Sequence, residues 1–212
     1  MSNNIAEVEK MEYSLTVPKK WLYELITGLL ERLMAFVFLI IALPVLFLFA
    51  ILIKIEDGGP VLYYQDRVGK DGCIFTVYKL RSMCIDKYGN NSKETQMNDP
   101  RITKVGKIIR MTRIDELPQL LNILSGYMKL IGPRPLVPEQ IAEYSKEFPE
   151  FVNRLLVKPG ITGWAQVNGG NEVTPKEKFD LDMEYVKKRG LLMYVSIAIR
   201  TIYVVFSGDG AR

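Results

Sequence analysis

Asp115 and Glu116 stand side by side where a leucine-rich segment begins. Two chemistries are open to adjacent carboxylates at such a junction. They can act as an acidic helix start, with Asp115 accepting hydrogen bonds from first-turn amides. They can also act as an ionised nucleophile or a ligand for a hard metal ion, because a positive helix end and nearby cations lower a carboxylate's pKa. The cations are present. Arg101, Lys104, Lys107, Arg110 and Arg113 recur every third residue upstream, and Lys79 and Arg81 lie on one predicted strand. Gly132-Pro133-Arg134-Pro135 holds an arginine between two prolines, which restricts where its guanidinium can reach. Arginine binds phosphate bidentately. The basic series is either a solvated surface or a contact for a phosphate-rich partner, such as an anionic lipid headgroup or a diphosphate.

Composition narrows the options. The 212 residues contain no histidine and two cysteines. Ser-His-Asp and Cys-His catalysis are therefore excluded, as are histidine-containing zinc sites and a disulfide framework. Any catalysis must use carboxylates, lysine, arginine, tyrosine or a hard metal. Lysine and arginine total 28 against 24 acidic residues, a net charge of +4 that implies no nucleic-acid partner. The hydrophobic fraction of 48% is high for a soluble domain of this size.

Much of that fraction lies in one stretch. Leu33 to Ile53 is 21 residues without a charge. As a straight helix it would be about 31 Å long, close to the hydrocarbon thickness of a bilayer. It is too long and too late in the chain for a signal peptide. Pro44 removes a hydrogen bond near its middle and predicts a kink. The segment either spans with a kink or bends back with both ends on one side. Lysine and arginine flank both ends, which gives no inside–outside contrast and favours the re-entrant form. Residues 1–20 are polar and predict a flexible N-terminus.

Other elements must position the chemistry. Val61–Tyr64 and Cys73–Leu80 predict strands joined through an Asp71-Gly72 turn, with Phe75, Val77, Lys79 and Arg81 on one face. Residues 86–98 are polar and read as a loop or lid. Residues 116–125 predict a helix with Leu117, Leu120, Leu121 and Leu124 at helical spacing and Gly126 as its stop. Residues 139–156 predict a helix interrupted near Pro149, and 158–170 a glycine-rich loop. Thr174-Pro175-Lys176-Glu177 is a capping box that opens a helix to about Arg189. Residues 191–206 form an apolar segment with Arg200 as its only charge. It is either an interfacial helix with Arg200 snorkelling to phosphates or a core helix.

Four segments in order carry a resemblance. YQDRVGKDGCIFTVYKLRSM (64–83), DPRITKVGKIIRMTRIDELPQLLNIL (99–124), GPRPL (132–136) and KPGITGWAQVNG (158–169) together resemble the bacterial sugar transferase family, the monotopic phosphoglycosyl transferases. The resemblance covers about residues 30–206. It implies an α+β chain: a small, mostly helical catalytic domain with a β-hairpin, anchored by a Pro44-broken re-entrant helix and interfacial amphipathic helices. Residues 21–57 would be the anchor and 58–212 the cytoplasmic catalytic domain. It implies transfer of a sugar-1-phosphate from a UDP-sugar to a polyprenyl phosphate, usually undecaprenyl phosphate, with release of UMP. The location would be the cytoplasmic face of the bacterial plasma membrane, at the start of capsule, exopolysaccharide, O-antigen or glycoprotein glycan assembly, with downstream glycosyltransferases following. Asp115 would form a covalent aspartyl-phosphosugar, Glu116 would assist by activating the polyprenyl phosphate, and Asp115 would hold Mg²⁺ with the diphosphate. Lys79, Arg81, Arg110 and Arg134 would contact phosphates. Tyr127 and Lys129 depart from the family pattern, Tyr127 touching packing rather than chemistry. The absence of further N-terminal spans resembles the short form.

Overall fold

The computed structural model describes residues 13–18, 20–84, 99–169 and 173–207. The 86–98 loop and residues 1–12 of the expected flexible N-terminus lie outside the described residues. Residues 13–18 are extended and packed: Leu15 and Val17 contact the largest core cluster, and the Asn153 side chain accepts from the amides of Ser14 and Leu15.

Helix α1, Trp21–Asp57, is 37 residues long. It runs past both ends of the charge-free stretch and continues as assigned helix through Pro44. At 1.5 Å per residue it measures about 56 Å. Its buried residues, Thr27, Glu31, Ala35, Ala42 and Ile53, fall at steps of three, four or their sums and form one stripe. The rest of its circumference is apolar and exposed, as at Leu33, Ile41, Phe47 and Ile55. Both ends are tied to the same body. Near the start, Glu24 pairs with Arg189 at 3.1 Å. At the finish, Glu56 accepts from Lys104 N at 2.7 Å and Asp57 pairs with Arg81.

Strands β1, Leu62–Val68, and β2, Ile74–Leu80, form the expected hairpin, antiparallel with Leu62 opposite Leu80. Its turn places Asp71 and Gly72 at positive φ, 54° and 79°. Helix α2, Lys104–Met111, starts at Thr103, whose Oγ1 accepts from Gly106 N at 2.8 Å.

The leucine-rich segment differs from expectation. Ile114–Gln119 is a 3-10 helix, followed by the short α3, Leu120–Leu124. Leu120 and Ile123 are buried while Leu121 is exposed. Pro118 lies inside this run, where it lacks an amide to donate, and the tighter 3-10 turn accommodates it.

Residues 158–169 are also more ordered than a loop. Strand β3, Lys129–Ile131, pairs in parallel with β4, Gly160–Thr162, and α5 follows at Trp164–Asn168. Two three-residue strands carry too little alternation to be seen in sequence. Glycine permits their approach: a Cβ on Gly160 would collide with Gly132 N. Helix α4, Pro138–Glu147, and a 3-10 stretch, Pro149–Leu156, match the interrupted helix expected there.

Helix α6, Pro175–Lys188, begins with the predicted capping box, Thr174 N donating to Glu177 at 2.7 Å and Glu177 N to Thr174 Oγ1 at 3.2 Å. Helix α7, Leu191–Ser207, is two-faced. Ile197 is fully buried, whereas Leu192, Ile199 and Ile202 are exposed. Arg200 lies 5.1 Å from the Trp164 ring and bonds to Asn168.

Among the described residues the core has three clusters. The largest joins Val68, Ile131, Ile141, Phe151 and Val186. In the second, Ala35 of α1 packs with Phe75, Val77, Leu120 and Ile123. In the third, Ile53 of α1 packs with Leu80 and Ile109. Helix α1 is thus part of the core that supports β2 and the 3-10 turn after α2.

Candidate active site

The chain reverses after α2 because Arg113 adopts the left-handed region, φ 57°. The 3-10 turn that follows carries Asp115 and Glu116 onto β2. Asn122, buried at the far end, holds this turn in register: its Nδ2 donates to Thr76 O at 2.7 Å and its Oδ1 accepts from Tyr78 N at 3.4 Å. Lys79, next along β2, therefore points at the dyad.

Lys79 Nζ is 2.8 Å from Glu116 Oε1 and 4.0 Å from Asp115 Oδ2. Arg134 also pairs with Glu116 Oε1, and its Nη1 reaches Oε2 at 3.4 Å. Glu116 thus bridges two cations, one from the hairpin and one from the Gly-Pro-Arg-Pro loop. The side chains of Asp115 and Glu116 are 14% and 15% exposed, while that of Arg134 is 45% exposed and open to an incoming anion.

These contacts separate the two carboxylates. Burial pushes the Asp115 carboxyl up to about 6, against the opposing charge of Lys79 and with the help of Glu116. Burial also acts on Glu116, but Arg134 and Lys79, by charge and by hydrogen bond, hold it well below the usual carboxylate range. The sequence expectation that the helix end and cations lower the Asp115 pKa is corrected. Asp115 sits inside a 3-10 turn rather than at an α-helix cap, and Glu116 takes the cations.

The loop carrying Arg134 is pinned from several sides. Gly132 N donates to Thr162 O at 2.8 Å and Gly160 N to Pro133 O at 2.9 Å. Arg67 Nη1 donates to Pro135 O at 3.1 Å, and Arg154 Nη2 to Arg134 O at 2.9 Å. Arg154 is itself buried against Asp182, at 2.7 Å and 3.1 Å. Burial, then the charge of Arg134, draws Arg67 down to about 10. Arg67, Asn122, Arg154 and Asp182 were missed in the sequence. Only Asn122 left a trace there, as a polar residue within a leucine run.

Of the expected phosphate-binding cations, the structure gathers Lys79 and Arg134 at the dyad. Arg110, in the last turn of α2, is near enough for its charge to favour the ionised form of Asp115. Arg81 is elsewhere: it is buried in an ion pair with Asp57, beside Gly59. Tyr127 stacks on Phe75 at 5.8 Å, a packing contact.

Among the described residues no group of three or more acidic or cysteine side chains is gathered for a metal ion. Asp115, buried and without a short ion pair, fits a site in which one carboxylate is completed by substrate phosphates and water, the ordinary manner for Mg²⁺.

Over residues 22–208 the sequence matches the family model described as bacterial sugar transferase. The chain belongs to the bacterial sugar transferase family. Within that family, it is 42% identical over 172 residues to UDP-N-acetylgalactosamine-undecaprenyl-phosphate N-acetylgalactosaminephosphotransferase of Aeromonas hydrophila, covering 80% of this chain and 41% of the relative. It is 36% identical over 183 residues to UDP-glucose:undecaprenyl-phosphate glucose-1-phosphate transferase of Escherichia coli K12, covering 84% and 39%. The chain therefore spans about two fifths of the length of these two relatives. Against an uncharacterized sugar transferase of Bacillus subtilis, EpsL, identity is 40% over 180 residues, covering 84% of this chain and 86% of the relative.

Proposed function

We propose that this sugar transferase moves a sugar-1-phosphate from a UDP-sugar to undecaprenyl phosphate and releases UMP. The observation that carries it is the unequal dyad: among the described residues Asp115 has no ion pair shorter than 4.0 Å, while Glu116 holds Lys79 and Arg134. A desolvated carboxylate beside cations is suited to attack phosphorus. In the first half-reaction an Asp115 oxygen bonds to the sugar-linked phosphorus and the bond from that phosphorus to the UMP oxygen breaks. In the second, a phosphate oxygen of undecaprenyl phosphate attacks the same phosphorus and Asp115 leaves as a carboxylate. Mg²⁺, held by Asp115 and the diphosphate, would supply neutralising charge.

Lys79 and Arg134 offset the charge that develops on the departing UMP, and Arg134 is open enough to meet it. Glu116 is a poor proton acceptor because its pKa is held low. None is required: a phosphate monoester has a second pKa of about 6, so the lipid phosphate is already largely dianionic at neutral pH. We assign Glu116 to holding the two cations in place, in preference to activating the acceptor.

The membrane arrangement supports the same reaction. Because both ends of α1 are bonded to one body, its exposed apolar face enters the lipid from one side, in a monotopic manner. We place that side at the cytoplasmic face of the inner membrane, where UDP-sugars are available. The named sugars of the two relatives differ, N-acetylgalactosamine and glucose, so the donor sugar of this chain is open to a panel of UDP-sugars.

The deciding experiment incubates purified protein with a UDP-sugar and no lipid acceptor. A covalent phosphosugar adduct by intact mass, with stoichiometric UMP, is the expected result, and Asp115→Asn gives neither. Release of UDP, or an adduct that persists in Asp115→Asn, overturns the assignment.

A further inference from the structure

A second cationic site lies apart from the dyad. Between the first turns of α1, the start of β3 and the residues just before β4 is a cavity of about 210 Å³. It shares no residue with the site around Asp115. Five cations line it, Arg32, Lys70, Lys129, Lys158 and Arg189, against two carboxylates, Glu24 and Glu31. Glu24 pairs with Arg189 at 3.1 Å, and Glu31 accepts from Leu130 N at 3.3 Å through Oε2, its Oε1 having no hydrogen-bond partner among the described residues. Among the described residues neither Arg32 nor Lys158 has an ion-pair partner, and Lys70 has only the exposed Asp71 at 3.8 Å. Burial, then the charges of Arg32 and Lys70, hold Lys158 below the ordinary lysine range. Arg189, 5% exposed, contributes to the cavity wall with its Nε lacking a partner.

Five cations outnumber the two carboxylates in one cavity, and the charges of Arg32, Lys70 and Lys158 are offset only in part by Glu24 and Glu31, which marks a site for an anion. The rim indicates what carries it. Leu25 and Leu29 of α1 line the cavity and belong to the exposed apolar face of that helix. A phosphate seated on Arg32, Lys70 and Lys158 would have its apolar portion lying along those leucines, within the lipid. We propose that this cavity binds the phosphate headgroup of an anionic membrane phospholipid, as a site independent of the reaction at Asp115.

Gly28 supplies a clean probe. It lines the cavity, and a Cβ added there meets nothing within 4 Å. Gly28→Leu fills the space without removing a charge and favours the helix. The measurement is native mass spectrometry of protein released from nanodiscs of phosphatidylcholine alone or mixed with phosphatidylglycerol. Wild-type protein and Asp115→Asn are both expected to retain one phosphatidylglycerol in preference to phosphatidylcholine, because the site does not use the dyad. Gly28→Leu and the double variant Arg32→Gln/Lys158→Gln are each expected to lose that preference. Inorganic phosphate is expected to displace the lipid poorly, since it lacks the leucine contact. Equal retention of the two lipids by wild type overturns the assignment. So does a preference that survives Gly28→Leu, one lost in Asp115→Asn, or ready displacement by inorganic phosphate. Failure of UMP release in the separate assay bears on the catalytic assignment and leaves this one untouched.

Discussion

Arg154 Nη2 donates to the main-chain oxygen of Arg134 at 2.9 Å, from a buried position where Asp182 neutralises it. The arginine that faces the dyad is therefore positioned by a second arginine that does not reach the site. Arg154→Met is expected to cost about 3 kcal/mol, because Asp182 is left buried and unpaired. The double variant Arg154→Met/Asp182→Leu should recover most of that stability, since replacing both members of a buried pair by apolar residues is often neutral. Activity should not recover. The Arg134 carbonyl still lacks its donor, and a misplaced Arg134 should lower kcat/KM on the order of tenfold or more. Thermal unfolding alongside UMP release separates the two; activity returning with stability would reduce Arg154 to a packing residue.

The split between the carboxylates sets a pH profile. Asp115 titrates at about 6 and Glu116 well below the usual range, so one group changes charge in the working window. In the free protein, kcat/KM for the UDP-sugar should rise with pH through about 6 and then flatten, reporting ionisation of Asp115. A profile that is flat from pH 5 to 8 would contradict the burial of a titrating nucleophile.

The same shift has a cost in stability, and its sign can be worked out. A carboxyl whose folded pKa is raised binds more protons folded than unfolded between about 4 and 6. Stability from this group is thus lost as pH rises through that window. Asp115→Asn removes the buried charge, so the variant should be more stable than wild type at pH 7.5, on the order of 1 kcal/mol. The difference should shrink as pH falls through that window and vanish below about pH 3, where Asp115 is protonated in both states. Unfolding temperatures of the two proteins across that range provide the check.

Glu116→Gln tests the opposite partner. It removes the negative charge between Lys79 and Arg134 and leaves two cations facing each other, a loss of about 2 kcal/mol by analogy with breaking one side of a partly buried pair. Adding Lys79→Met should restore part of the stability, and the coupling between the substitutions measures the pair. Additive effects would mean that Lys79 and Glu116 do not interact in solution.

The dyad, Lys79, Arg134 and the hairpin were legible because each has a local signature: adjacent charges, alternation around an Asp-Gly turn, an arginine between prolines. The capping box at Thr174 was legible for the same reason. What was hidden depends on contacts distant in sequence. Arg154 meets Arg134 across 20 residues and Asp182 across 28, and nothing near Arg154 marks it as buried. Arg81 read as a phosphate ligand because it shares a strand face with Lys79; its pairing with Asp57, 24 residues away, takes it out of the site. Residues 116–125 read as one α-helix because leucine spacing does not distinguish a 3-10 turn from an α-helix over so short a run, whereas the structure begins the segment with the 3-10 turn Ile114–Gln119. The β3–β4 pair is legible only once Gly132 and Gly160 are known to face each other.

The length of α1 that touches the catalytic body can be tested at one residue. Ala35 is fully buried between β2 and α3, against Phe75, Val77, Leu120 and Ile123, and these are the elements that carry Lys79 and support the dyad. A methyl side chain there lets the helix approach closely. Ala35→Phe overfills the contact and should cost about 1–3 kcal/mol. It should also lower activity, because displacing β2 against α3 separates Lys79 from Glu116. Ile40→Phe, on the exposed apolar face of the same helix, places the same ring toward lipid and should change neither property. Comparing unfolding temperature and UMP release for the two variants distinguishes a helix packed on the domain from one that only tethers it. Equal effects at the two positions would show that α1 is a tether, and its contacts with Phe75 and Leu120 would then have no part in setting the dyad.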